Sequence, residues 1–151
     1  MKNFFRKISL SSYLSLTSIL TSCLALIFVS LASLGSYPIA HLPLVIVFSL
    51  LAILASFFPA FAEAKGFSSL FRDLATWISI IAVSLSLAIT IYGRSELMGF
   101  VWFSNLMSGN AVARNALNLA LVGWIFYLLS LVLLILSSGF SSRKEKEAKA
   151  N

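Results

Sequence analysis

The chain has 151 residues, 60% hydrophobic and only 11% charged, with a formal net charge of +6. Soluble domains carry about 25% charged residues, so this composition excludes an ordinary soluble enzyme or binding module. The basic excess falls in clusters that flank apolar segments, which is the footprint of membrane topology, and no nucleic-acid partner is expected.

Four apolar segments, 8–34, 43–62, 74–92 and 116–140, have no charge in their interiors. A hydrocarbon core about 30 Å thick takes about 20 helical residues, so each segment is expected to span a membrane. The expected fold is all-α integral membrane: a four-transmembrane-helix left-handed bundle over 1–140, with a short amphipathic outer-loop helix. A polar cytoplasmic tail, disordered or loosely helical, is expected at 141–151.

Lys2, Arg6 and Lys7 precede the first segment, in which Ser11, Ser15, Ser18, Ser22, Ala25 and Ala32 recur at threes and fours, interrupted by Val29. Cys23, the only cysteine, leaves no possibility of an internal disulfide or a cysteine-based metal cluster. Residues 1–23 also resemble a bacterial lipoprotein signal ending at a lipidated Cys23. The apolar run continues to Leu34, however, and removable signals have shorter apolar regions, so a retained helix is expected. Pro38 and Pro43 punctuate a tight outer turn that holds His41, the only histidine.

The second segment shows a weaker small-residue seam, Ser49, Ala52 and Ser56, and Pro59 is expected to bend its inner end. In the inner loop Glu63, Lys65, Arg72 and Asp73 are expected to pair at headgroup level. Small residues return in the third segment as Ala75, Ser79, Ala82 and Ser86, flanked by Trp77 and Tyr92 near opposite interfaces.

The outer loop, 93–115, predicts a helix capped by Ser95 and running to about Met107, with Glu96 near its positive end. Its apolar face, which includes Trp102, suits a lid over the bundle or a docking surface. In the fourth segment Ala113, Ala116, Ala120, Gly123, Ser130 and Ser137 form a seam interrupted by Tyr127. Asn110, Arg114 and Asn118 repeat at i, i+4 and i+8, with Asn115 alongside, about one turn into the apolar region at Asn118. Arg114 opposes the helix dipole there, which suggests a compensating anion: Glu96, a lipid phosphate or a partner's acid. Glu96, Trp102, Asn110, Arg114 and Asn118 are therefore the candidate contact site.

Lipid is as apolar as leucine, so small residues, which let backbones approach, select the helix-packing face. Ser15, Ser18, Ser22, Ala82, Ser86, Ala116, Ala120 and Gly123 are the expected packing seam, and a repeat averaging 3.5 residues implies left-handed crossing. All but two of the 11 basic residues, Arg94 and Arg114, lie on one side. The chain is therefore expected to be a multi-pass cell-membrane protein with both termini cytoplasmic, its basic ends against anionic headgroups.

No catalytic, metal or cofactor site is expected: there is one His and one Cys, and no acid within an apolar span. Cysteine pairs, which disulfide-generating membrane enzymes need, are missing. So is the embedded glutamate of small multidrug exporters. The expected function is non-catalytic, that of an accessory subunit of a membrane complex or a membrane organiser acting by helix packing on other subunits or on itself. The alternative is a small oligomeric transporter or channel.

Overall fold

Without water, backbone N–H and C=O groups must be satisfied inside the chain, and a helix does this within each segment. The computed structural model describes residues 9–65, 67–104, 106–107 and 109–150, and at 64 and 141–150 the backbone alone. Its helices are α1 (Leu10–Ala32), α2 (Leu42–Lys65), α3 (Ser69–Tyr92), the single turn α4 (Ser95–Met98) and α5 (Ala111–Ala150). A π-helical stretch, Gly99–Phe103, follows α4 directly. α1, α2, α3 and the Ala111–Phe140 part of α5 are each long and apolar enough to cross a membrane. Residues 1–8, where the first basic cluster lies, fall outside the described residues, as does Gly66.

α1 packs against α5 and α2, and α3 packs against α2 and α5, so the four long helices close into a ring. The closest pairs are α1 with α5 and α2 with α3. One end of the bundle, the loop end, carries the connections 33–41 and 93–110. The other, the terminal end, carries Ser9, Phe67, Ser68 and Phe140.

Helix boundaries follow local chemistry. Ser9 caps α1, its hydroxyl accepting from Ser12 N at 3.4 Å. Ser33 ends the helix, and Gly35 at φ +92° turns the chain, a conformation that costs glycine little. Asn110 caps α5 by accepting from Val112 N at 3.0 Å and Ala113 N at 3.1 Å, so the fourth helix begins five residues before the apolar segment does. It also continues to Ala150. The tail residues Arg143–Ala150 are all strong helix formers, which sustains the backbone beyond the apolar run.

The side chains are distributed inside out relative to a soluble bundle. Ser15, Ser18, Ser49 and Ser86 are fully buried, whereas Leu54 is 71% exposed. In water the reverse holds; in lipid, exposed leucines cost nothing and small residues gain close packing. Every residue of the expected seam is buried: Ser15, Ser18, Ser22, Ala82, Ser86, Ala116, Ala120 and Gly123. The residues that interrupt the seams are buried with them. A Cβ built on Gly123 would meet Val29 Cγ2 at 2.7 Å and Ala25 O at 3.2 Å, so Val29 fills the gap that the glycine leaves. Tyr127 is fully buried, and its hydroxyl lies 2.6 Å from Ser49 Oγ, which in turn donates to Ser86 Oγ at 3.1 Å. Large residues on one helix thus face small ones on its neighbours.

Hydroxyls tie the helices together. Ser11 Oγ donates to Ser137 O at 2.8 Å and Ser137 Oγ donates to Ser11 O at 2.8 Å. Ser22 and Ser130 hydroxyls are 2.8 Å apart, and Ser15 Oγ donates to Ser56 O at 2.7 Å. Hydrogen bonds of this kind inside membranes contribute about 0.6 kcal/mol each, so their number matters more than any single one.

Candidate functional site

At the loop end the chain leaves α3 through Gly93, whose lack of a side chain admits Ile39: a Cβ there would lie 2.7 Å from Ile39 Cγ2. The next residue, Arg94, turns inward. It is 2% exposed, one of the largest fully enclosed side chains of the protein. Nη1 donates to Tyr37 O at 2.7 Å, and Nη2 donates to Ala32 O. Ala32 is the last residue of α1, where carbonyls lack intrahelical partners and carry the negative end of the helix dipole. The arginine thus closes the end of a helix 62 residues away in sequence.

Among the described residues its charge is not matched by a carboxylate, because its hydrogen-bond partners are main-chain carbonyls. Nε is buried and has no acceptor among the described residues. Burial pushes the guanidinium below its ordinary pKa, yet arginine stays cationic at physiological pH, so a positive charge is enclosed here.

The surroundings of Arg94 come from three segments. Leu97 and Val101 pack on Ala113, Ala116 and Leu117 of α5, with Tyr37, Met98 and Met107 against them. Of the short helix expected from Ser95 to about Met107, residues 95–103 are helical, but not α-helical throughout. Four α-helical residues give way at Gly99 to the wider π turn, closed by Ser104 N donating to Gly99 O at 3.0 Å. Leu97 and Val101 are buried, while Trp102 and Phe103 are exposed. Ser95 does not cap the turn: Arg94 occupies the cap position, and Ser95 Oγ donates back to Tyr92 O at 2.8 Å. Beside Arg94 lies a cavity of about 290 Å³, walled by Ser36, Tyr37, Glu96, Phe100 and Met107.

The candidate contact residues fall into two groups. Asn110 belongs to the Arg94 assembly: its Nδ2 donates to Tyr37 OH at 2.9 Å while its Oδ1 caps α5. Glu96 is exposed on the cavity rim. Trp102 faces outward, and Arg114, Asn115 and Asn118 are exposed on the face of α5 turned away from the bundle. Ala120 packs with Ala32, so Asn118 sits at the level where α1 ends. The strip is therefore a rim feature of the bundle rather than an extension of the buried site.

At the terminal end Glu63 accepts from Ser9 N at 3.0 Å, from Ser9 Oγ at 2.9 Å and from Ser12 Oγ. The acid lies within electrostatic reach of Arg72, as expected of the loop charges, and it also meets the positive end of α1, where an anion is favoured. Arg72 and Asp73 approach within 3.9 Å.

A serine becomes a nucleophile when a base removes its proton. Among the described residues the partners of the buried hydroxyls are hydroxyls and carbonyls, apart from Glu63 at the terminal end. Among the described residues no group of His, Cys, Asp and Glu could hold a metal ion. Comparison with protein-family models, with curated proteins and with solved structures finds no match for this chain.

Sequence reasoning counted Arg94 only towards topology. The signal that could have found it is its position: a lone arginine after glycine, at the end of an apolar span, entering a loop with its own apolar periodicity.

Proposed function

We propose that this protein is a non-catalytic, multi-pass membrane protein that acts by helix packing, as an accessory subunit of a membrane complex or as a self-associating membrane organiser. The observation that carries this reading is where the interior hydroxyls go. Ser11, Ser22, Ser49, Ser130 and Ser137 engage one another or neighbouring carbonyls, as packing groups do. A conduit instead needs polar groups left for water or solute. The exposed Arg114–Asn118 strip on α5 is the face assigned to a partner, and the crossing is taken as left-handed from the repeat of the seams. Both termini are assigned to the cytoplasm, where the basic ends meet anionic lipid.

Purification in mild detergent, with partners identified by mass spectrometry and complex size read on native gels, tests the reading. The expected result is an oligomer or a defined heteromer that Arg114→Ala with Asn118→Leu weakens, while the chain still inserts. Ion conductance in a planar bilayer, whatever the size of the complex, overturns it in favour of a channel. For the orientation, Ser142→Cys and Ser104→Cys are made separately on a Cys23→Ser background. An impermeant thiol reagent added to intact cells should label position 104, and labelling of 142 reverses the assignment.

A further inference from the structure

A guanidinium enclosed without a carboxylate partner among the described residues, a neighbouring cavity and a carboxylate on that cavity's rim form a pattern that α1 capping alone does not need. Capping occupies two of the five N–H donors of Arg94, one on each Nη. An enclosed cation is costly unless an anion compensates it. Glu96 is not that anion, because it stands exposed on the rim and Arg94 bonds main-chain carbonyls instead. At about 290 Å³ the cavity is at the small end of ligand sites, the size of a headgroup fragment rather than a large metabolite.

We infer that this cavity binds a phosphoammonium zwitterion, with the phosphate against Arg94 and the ammonium between Glu96 and the ring of Phe100. The charge order fits: a positive group lies deep and a negative group at the mouth, the reverse of the order in the ligand. Arginine suits phosphate through parallel N–H donors, and an aromatic face adds attraction for an ammonium. The same connection also offers an apolar flank, since Phe103 is 82% and Leu106 75% exposed. Those side chains suit the acyl chains of a phosphatidylethanolamine, whose headgroup has this chemistry; free phosphoethanolamine is the soluble source of the same group. The inference does not depend on what the protein assembles with.

The test uses the full chain reconstituted in vesicles of equimolar phosphatidylethanolamine and phosphatidylglycerol, then released into mild detergent for native mass spectrometry of retained lipid. Wild type should retain phosphatidylethanolamine about tenfold over phosphatidylglycerol, the ratio that one charge-assisted contact supports. Glu96→Lys, an exposed change that leaves Arg94 in place, should invert the preference. Ser36→Phe, on the exposed cavity wall, should abolish retention of both. If no lipid is retained but millimolar phosphoethanolamine raises the melting temperature of wild type and not of Ser36→Phe, the site is upheld with a soluble ligand. Equal retention of both lipids by wild type and both variants, with no protection by phosphoethanolamine, overturns the inference and leaves Arg94 as a cap for α1.

Discussion

The α1–α5 seam and the loop end face the same difficulty, polar groups in a medium with no water, and answer it in opposite ways. Along the seam the polar groups are neutral, small and reciprocal: Ser11 with Ser137, Ser22 with Ser130, Ser130 with Ser18 O. Each bond is weak, and each also lets two backbones come close. At the loop end one cation serves two carbonyls and holds a loop, a helix end and a cavity wall together. The seam spreads its stabilisation over many replaceable contacts. The loop end concentrates it in one residue, which leaves three N–H donors unspent among the described residues and space beside them.

The largest effect should come from breaking the seam at its tightest point. Gly123→Leu places a side chain where even a Cβ meets Val29 and the carbonyl of Ala25, and should destabilise the bundle by about 3 kcal/mol through overpacking. Leu136→Ala, on the exposed face of the same helix, should change thermal stability in detergent by less than about 0.5 kcal/mol. Similar losses for both would remove the distinction between seam and lipid face.

Arg94→Leu should cost about 2 kcal/mol, because two carbonyls lose a charged donor. The loss should be local. Limited proteolysis and hydrogen exchange should show opening of 93–110 while the α1–α5 contacts stay protected. Global loosening instead would mean that the two regions are one cooperative unit.

The smallest effect sharpens the contrast. Ser22→Ala should cost only about 0.6 kcal/mol, since the methyl group keeps the close approach and only the bond to Ser130 is lost. Ser22→Leu should cost several times more. Equal costs for the two would show that hydrogen bonding, not closeness, holds the seam.

The spans were legible because length and apolarity dictate them. The buried faces were legible because small residues at helical spacing can be counted. What the counting treated as flaws, Val29 and Tyr127, are the pieces that fill the spaces opposite Gly123 and Ser49. Complementarity between two helices cannot be read from either alone. The outer loop was legible as an apolar face but not as a helix interrupted at Gly99, because local periodicity does not reveal where α5 will offer its side chains. The ties of Glu63 to Ser9 and of Arg94 to Ala32 were not legible for one reason: each reaches a helix end more than 50 residues away. Of the candidate contact residues, only Asn110 and Glu96 gather near the buried arginine.

The pairing of α1 with α5 sets a condition on biogenesis. α1 is synthesised well before α5, yet α5 is its closest neighbour. Until α5 arrives, the hydroxyls of Ser11 and Ser22 and the groove beside Val29 have no partner, although α2 and α3 already do. Contacts so distant in sequence form late, because α5 must be made before they can close. A chain truncated before Ala111 would insert three helices and still display an open polar seam to the lipid. That seam is the kind of signal by which a membrane quality-control protease distinguishes an unfinished product from a finished one.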